Sequence, residues 1–115
     1  MGQFAYISVL NAWNMLQSRD LQAVIVDIRD PKSFQLSHPL GAFHLTYDSI
    51  VQFKREVDYK QPILVMCYHG VSSKGVVQYL INQGFQSVHN VDVGFVAWHR
   101  QQLAVVSSTN SIGCS

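Results

Sequence analysis

Charge is scarce in this sequence: 13% of its 115 residues are Asp, Glu, Lys or Arg, and the formal net charge is +1. The lysines and arginines stand singly, so there is no basic stripe for nucleic acid or an anionic membrane surface, and neither partner is expected. Long apolar runs are missing too; none approaches the ~20 residues of a membrane-spanning helix. The opening Met1-Gly2-Gln3-Phe4-Ala5-Tyr6 lacks a cationic stretch followed by an apolar run and does not read as a secretory signal. Cysteine occurs twice, as Cys67 after a hydrophobic run and Cys114 in a polar stretch. That usage argues against a structural disulfide and for a reducing, cytoplasmic setting. The histidines and cysteines show no zinc-ligand spacing, so neither a metal nor another cofactor is expected.

What the sequence does have is hydrophobic residues, at 48%, in a chain of single-domain length. This is the composition of a packed globular unit. Short apolar runs alternate with longer helical patterns, the signature of an α/β fold with a mainly parallel sheet. Ser8 is placed to cap a helix carrying Val9, Ala12, Trp13 and Leu16 on one face. Ala23-Val24-Ile25-Val26 reads as a strand covered on both sides, and Asp30-Pro31 as the start of a turn or helix. A helix is expected over Asp48–Val57, with Ile50, Val51 and Phe53 buried. Ile63-Leu64-Val65-Met66 is the second clear strand. Ser72 or Ser73 caps the next helix, with Val76, Val77, Leu80 and Ile81 inward and Gly84 as its stop. Ser87–Val91 reads as a third, shorter strand, and Gly94–Arg100 opens a last helix. The domain is expected to span 1–106, with 107–115 a mobile tail rich in Ser, Thr, Asn and Gly.

The chemistry concentrates in Cys67-Tyr68-His69-Gly70-Val71-Ser72. Cys67 directly follows a buried strand and a Ser-Ser pair begins a helix soon after, which is where open α/β sheets bind their ligands. A tight turn containing Gly70 can curl so that successive N–H groups point at one centre, with the sulfur facing the positive end of the helix that follows. A free thiol with pKa about 8.5 is only about 3% thiolate at neutral pH. Shifting such a balance by two pH units takes about 2.7 kcal/mol. A helix terminus supplies roughly 0.3–1 kcal/mol, whereas each hydrogen bond to a charged group supplies about 1.5–3. The loop amides, more than the helix, would therefore make the nucleophile. His69 and Lys74 are nearby cations able to draw in an anionic substrate.

Three motifs, in order and properly spaced, resemble the rhodanese family, and closely its single-domain thiosulfate sulfurtransferases of the GlpE type. The loop Met66–Gly75 is one. Val26-Asp27-Ile28-Arg29-Asp30-Pro31 with Phe34, Ser37-His38 and Gly41-Ala42 is another, and Asp92-Val93-Gly94-Phe95-Val96-Ala97-Trp98 the third. The resemblance covers about residues 3 to 103. It implies a three-layer, rhodanese-like fold with a mainly parallel five-stranded sheet flanked by helices. It further implies a thiosulfate sulfurtransferase in which Cys67 takes the outer sulfur of thiosulfate as a persulfide and passes it to cyanide or a thiol. The loop Tyr68, His69, Gly70, Val71 and Ser72, with Lys74, would bind the substrate. A dithiol protein such as thioredoxin is a candidate acceptor. Val93 departs from the pattern by standing where the family has the first Gly of a pair, and is strained if that position needs positive φ.

Asp27 and Arg29 read as a structural ion pair or hydrogen-bond set near the loop, with an added contact to substrate as the lesser alternative. His38 and His44 read as structural histidines, and Phe95 and Trp98 as core or pocket wall. Two other functions compete with this reading. A non-catalytic rhodanese-like binding module would lack the cysteine, which is present. A cysteine phosphatase or arsenate reductase needs an Arg in C-x5-R spacing to grip its oxyanion, and Ser73 occupies that position.

Overall fold

The structure, a computed structural model, describes residues 3–107. Strand β1 (Gln3–Ile7) leads into helix α1 (Val9–Gln17), then β2 (Val24–Asp27) and the short α2 (Pro31–Leu36). Two-residue strands β3 (His38–Pro39) and β4 (Phe43–His44) precede α3 (Ile50–Glu56) and β5 (Ile63–Met66). The chain continues through α4 (Ser73–Asn82), β6 (Ser87–Val91), α5 (Gly94–Arg100) and β7 (Val105–Val106). Five strands form one sheet in the order β1-β6-β5-β2-β4, every neighbouring pair parallel. A separate antiparallel pair joins β3 to β7. The α/β class and the five-stranded parallel sheet are thus as expected.

Capping explains the helix starts. The Ser8 side chain accepts from the Asn11 N–H at 3.2 Å, and Asp30 accepts from the Ser33 N–H ahead of Pro31. Hydrogen bonding from Ser33 also holds the Asp30 carboxyl below its ordinary range. Helix α3 starts later than the expected Asp48, because Thr46 and Ser49 fold into a turn in which Ser49 Oγ donates to the His44 carbonyl at 2.8 Å. Helix α4 stops at Gly84, whose φ of +105° suits glycine.

Alternation along the central strands divides the core in two. Ile63 and Val65 join Val26, Phe53, Val77, Leu80 and Phe85 on the face covered by α3 and α4. Leu64 and Met66 join Ile25, Val9, Ala12, Phe95 and Trp98 on the face covered by α1 and α5. Each of the larger aliphatic and aromatic side chains among these contributes roughly 1.5–3 kcal/mol of burial. Val51 corrects the sequence reading: it is exposed, since Ile50 and Phe53 already take the inward face of a helix only seven residues long. Ser87–Val91 is likewise not shorter than its neighbours but runs five residues against four for β5. Ser107, the last described residue, donates its hydroxyl to the Gln35 carbonyl. Ser107 is thus the first residue of the expected tail, and the rest of that tail, with Cys114, lies outside the described residues.

All five strands of the sheet end on one edge, and two features there bear on stability, one in its favour and one against it. Arg29 donates from Nη2 to Asp27 Oδ2 at 2.7 Å and from Nε to Oδ1 at 3.0 Å, with both residues buried, and it also donates to the Ser37 carbonyl. Its guanidinium lies 3.9 Å from the Phe95 ring centroid. The second feature is Val93, at φ +59° just before α5. It adopts the left-handed conformation that its β-branched side chain disfavours, which bears out the expected strain.

Two outcomes follow. Arg29→Met strands the Asp27 carboxylate in the interior and should cost roughly 3–5 kcal/mol in urea unfolding; a loss under about 1 kcal/mol would show the pair to be dispensable. Val93→Gly relieves the left-handed strain at a position that is 49% exposed. It should raise stability by about 1 kcal/mol, read as a higher melting temperature, and a lower one would show that Val93 packing outweighs the strain.

Candidate active site

Cys67 stands one residue past β5, at the strand edge where the sheet ends, and is 4% exposed. The loop from Cys67 to Ser73 bends back on it, so that two peptide groups converge on the sulfur. The Gly70 N–H donates to Sγ at 3.1 Å and the Ser73 N–H at 3.3 Å. Such donors favour negative charge at sulfur, and they come from the loop and the first residue of α4, as the sequence reading required. Gly70 is indispensable here on two counts. Its φ is +82°, and a Cβ on it would sit 2.7 Å from the Val93 nitrogen.

The loop is held from the next strand and helix. The Phe95 N–H donates to the Cys67 carbonyl at 2.8 Å and the Val96 N–H to the Tyr68 carbonyl at 3.1 Å. Helix α5 therefore satisfies two of its own first-turn donors on the loop's backbone. This approach works because residue 94 is glycine: a Cβ there would lie 2.2 Å from the Cys67 oxygen. From β6, the Asn90 Nδ2 group donates to the Gly70 carbonyl at 3.1 Å. The Ser73 hydroxyl donates to Asn90 Oδ1 at 2.5 Å and also lies 3.2 Å from Cys67 Sγ. Ser73 and Asn90 are both fully buried.

The remaining sequence-predicted residues lie around the sulfur at different depths. Tyr68, His69, Val71 and Ser72 are exposed at the rim, with the Tyr68 and His69 rings edge-on at 4.6 Å. Lys74 leaves the loop on the first turn of α4, and its Nζ lies 5.6 Å from the Tyr6 ring centroid on the edge strand. Beside Ser72 opens a cleft of about 660 Å³, walled by Ile28, Leu45, Tyr47, Ile50, Val76 and Tyr79. Arg29 also borders this cleft, but its guanidinium is engaged by Asp27 and Ser37. His38 and His44 are structural, as expected. His38 Nδ1–H donates to the Phe34 carbonyl at 2.6 Å and His44 Nε2–H to the Arg29 carbonyl at 2.7 Å, with Phe34 stacked between the two rings.

Sequence reasoning missed Ser73, Asn90 and Gly94 as parts of the site. Ser73 reads from sequence as a helix cap and as the residue in place of a phosphatase Arg, and the cap position is in fact taken by Ser72, without a side-chain bond. The signal for Asn90 was a carboxamide inside an otherwise strand-like run, which calls for buried partners.

Residues 8–101 match the family model for the rhodanese-like domain. The chain is 53% identical over 108 residues to thiosulfate sulfurtransferase GlpE of Vibrio cholerae serotype O1, an alignment covering 94% of this chain and all of that one. Among solved structures it is similar to the Alr3790 protein from Anabaena sp., with a TM-score of 0.78 at 20% identity, covering 91% of this chain and 95% of that one. It is also similar to a rhodanese-like domain protein from Staphylococcus aureus, with a TM-score of 0.70 at 26% identity, covering 82% and 90%. With a parallel sheet, a cysteine loop at its strand edge and a match spanning most of its length, the chain belongs to the rhodanese-like domain family.

Proposed function

We propose that the chain is a thiosulfate sulfurtransferase carrying sulfur as a persulfide on Cys67. One observation carries the reading of the site: a buried sulfur on which two backbone N–H groups and a helix start converge. The Cys67 thiolate attacks the outer sulfur of thiosulfate; a new S–S bond forms, the old one breaks, and sulfite leaves with the electron pair. The terminal persulfide sulfur then carries the charge, and the amides of Tyr68, His69, Gly70, Val71 and Ser72 hold it. Cyanide or a thiolate attacks that outer sulfur and takes it, as thiocyanate or a new persulfide, and the Cys67 thiolate is restored. His69 and Lys74 contribute positive field for the incoming dianion rather than bonds to sulfur.

A thiol on a partner protein, such as a dithiol reductant of the thioredoxin kind, fits the acceptor role. Tyr68 at 54% and Val71 at 67% exposure present apolar surface beside the sulfur for such a partner. The phosphatase alternative finds no support at the position its chemistry requires, since Ser73 is uncharged and its hydroxyl is bound to Asn90. No helix among the described residues is long and apolar enough to cross a membrane. A working thiolate suits the reducing cytoplasm, which is where we place the protein.

Intact mass before and after thiosulfate tests the reading. Wild type should gain one sulfur atom, lost again on adding cyanide, while Cys67→Ser gains nothing and Cys114→Ser behaves as wild type. Uptake by Cys67→Ser, or none by wild type, would sink the mechanism. His69→Ala or Lys74→Ala should raise the thiosulfate concentration needed for half-maximal loading while leaving the final mass gain intact. We further propose that residues 1–106 suffice. Truncation after Val106 removes the Ser107 hydroxyl contact and the polar tail, and should leave turnover and melting temperature within error; a large fall in either would assign the tail a docking role.

A further inference from the structure

The carboxamide of Asn90 is 1% exposed and faces two groups of different character. The Gly70 carbonyl can only accept, so the NH2 end of Asn90 must be the end that meets it. The carboxamide oxygen therefore meets Ser73 Oγ, and the single proton of that hydroxyl is directed to it at 2.5 Å. Toward Cys67 Sγ, 3.2 Å away, Ser73 Oγ then presents lone pairs, an arrangement that accepts the proton of a thiol. Once the sulfur is an anion the same lone pairs oppose it. The hydroxyl must then either stay with Asn90 against that repulsion or turn to the sulfur and leave a buried carboxamide oxygen unpaired. Meanwhile the other end of Asn90 holds the carbonyl of Gly70, and across the Cα of that same residue lies the N–H that donates to Sγ.

The geometry points to Asn90 as a positioning residue that sets the balance between thiol and thiolate at Cys67, through the Ser73 hydroxyl on one side and the backbone of Gly70, held at its carbonyl, on the other. The inference rests on the reading of Cys67 as the sulfur carrier. Asn90 makes no hydrogen bond to the sulfur; it acts through Ser73 and Gly70, which do. A neutral amide is the chemistry this position needs, because one donor and one acceptor are demanded in fixed directions. A carboxylate of the same shape would oppose the Gly70 carbonyl, hold the Ser73 proton more firmly and set negative charge one hydroxyl away from the sulfur. All three changes disfavour the anion.

The test is Asn90→Asp in the full chain, with wild type and variant both carrying Cys114→Ser so that one thiol is read. The rate of alkylation by iodoacetamide is followed against pH by intact mass. The variant's midpoint should lie about one pH unit or more above wild type, and at a fixed pH below both midpoints its alkylation and thiosulfate loading should each be about tenfold slower. An unchanged midpoint in a folded variant would overturn the proposal, because a purely structural role costs melting temperature without moving a pH profile. If Asn90→Asp does not fold, the wild-type Asn90 side-chain amide resonance decides. It should titrate with the alkylation midpoint, and a flat response would overturn the proposal equally. Failure of the underlying reading looks different: wild type would alkylate normally and take up no sulfur from thiosulfate.

Discussion

The hydrogen bond from the Phe95 N–H to the Cys67 carbonyl, at 2.8 Å, is the constraint on which the site depends. It fastens the first residue of the loop to the first turn of α5, and so couples the end of β5 to the segment that follows β6. Two unusual backbone positions exist to let it form. Gly94 sits where a Cβ would be only 2.2 Å from the Cys67 oxygen, and Val93 is held at φ +59° so that the chain can turn into the helix in time. The left-handed strain thus falls in a connection, at an exposed side chain, and not at Cys67.

Around that fastening the parallel sheet does the placing. Strands β2, β5 and β6 lie side by side and end together, bringing Asp27, Cys67 and the β6 carboxamide to one edge. The two cores above and below the sheet make this edge rigid: Met66 and Val65, the last residues before the sulfur, each anchor into a different core. The Asp27–Arg29 pair then closes the neighbouring strand end, with Phe95 of α5 packed against the guanidinium. One aromatic ring therefore reports on both the ion pair and the helix that holds the loop.

Much of this was legible in the sequence, and the reasons differ by element. Strands β2 and β5 were plain because both faces are covered, which leaves unbroken β-branched and aliphatic runs. The cysteine loop was plain because a strand end, Gly70 and a Ser pair coincide. Strand β1 lies at the sheet's edge and opens Gln-Phe-Ala-Tyr-Ile, a pattern too mixed to stand out, and β4 has only two residues, which no periodicity can reveal. The contacts of Ser73 and Asn90 join residues 17 apart in the chain, and while a carboxamide in a strand-like run signals that Asn90 needs a partner, nothing local says that the partner is Ser73. Val51 misled because β-branched residues in a short amphipathic run look inward until the face is counted.

The donors on the sulfur are peptide N–H groups at 3.1 and 3.3 Å, set in a buried loop. Their field acts over a distance much shorter than the screening length of about 8 Å in physiological electrolyte. Ions in solution attenuate the attraction between exposed side-chain charges and an arriving dianion, but they do not reach between a peptide dipole and the sulfur it touches. Ionic strength accordingly acts between exposed charges and the solutes that meet them, while the field of these peptide groups at the Cys67 sulfur is the same in dilute and in concentrated salt.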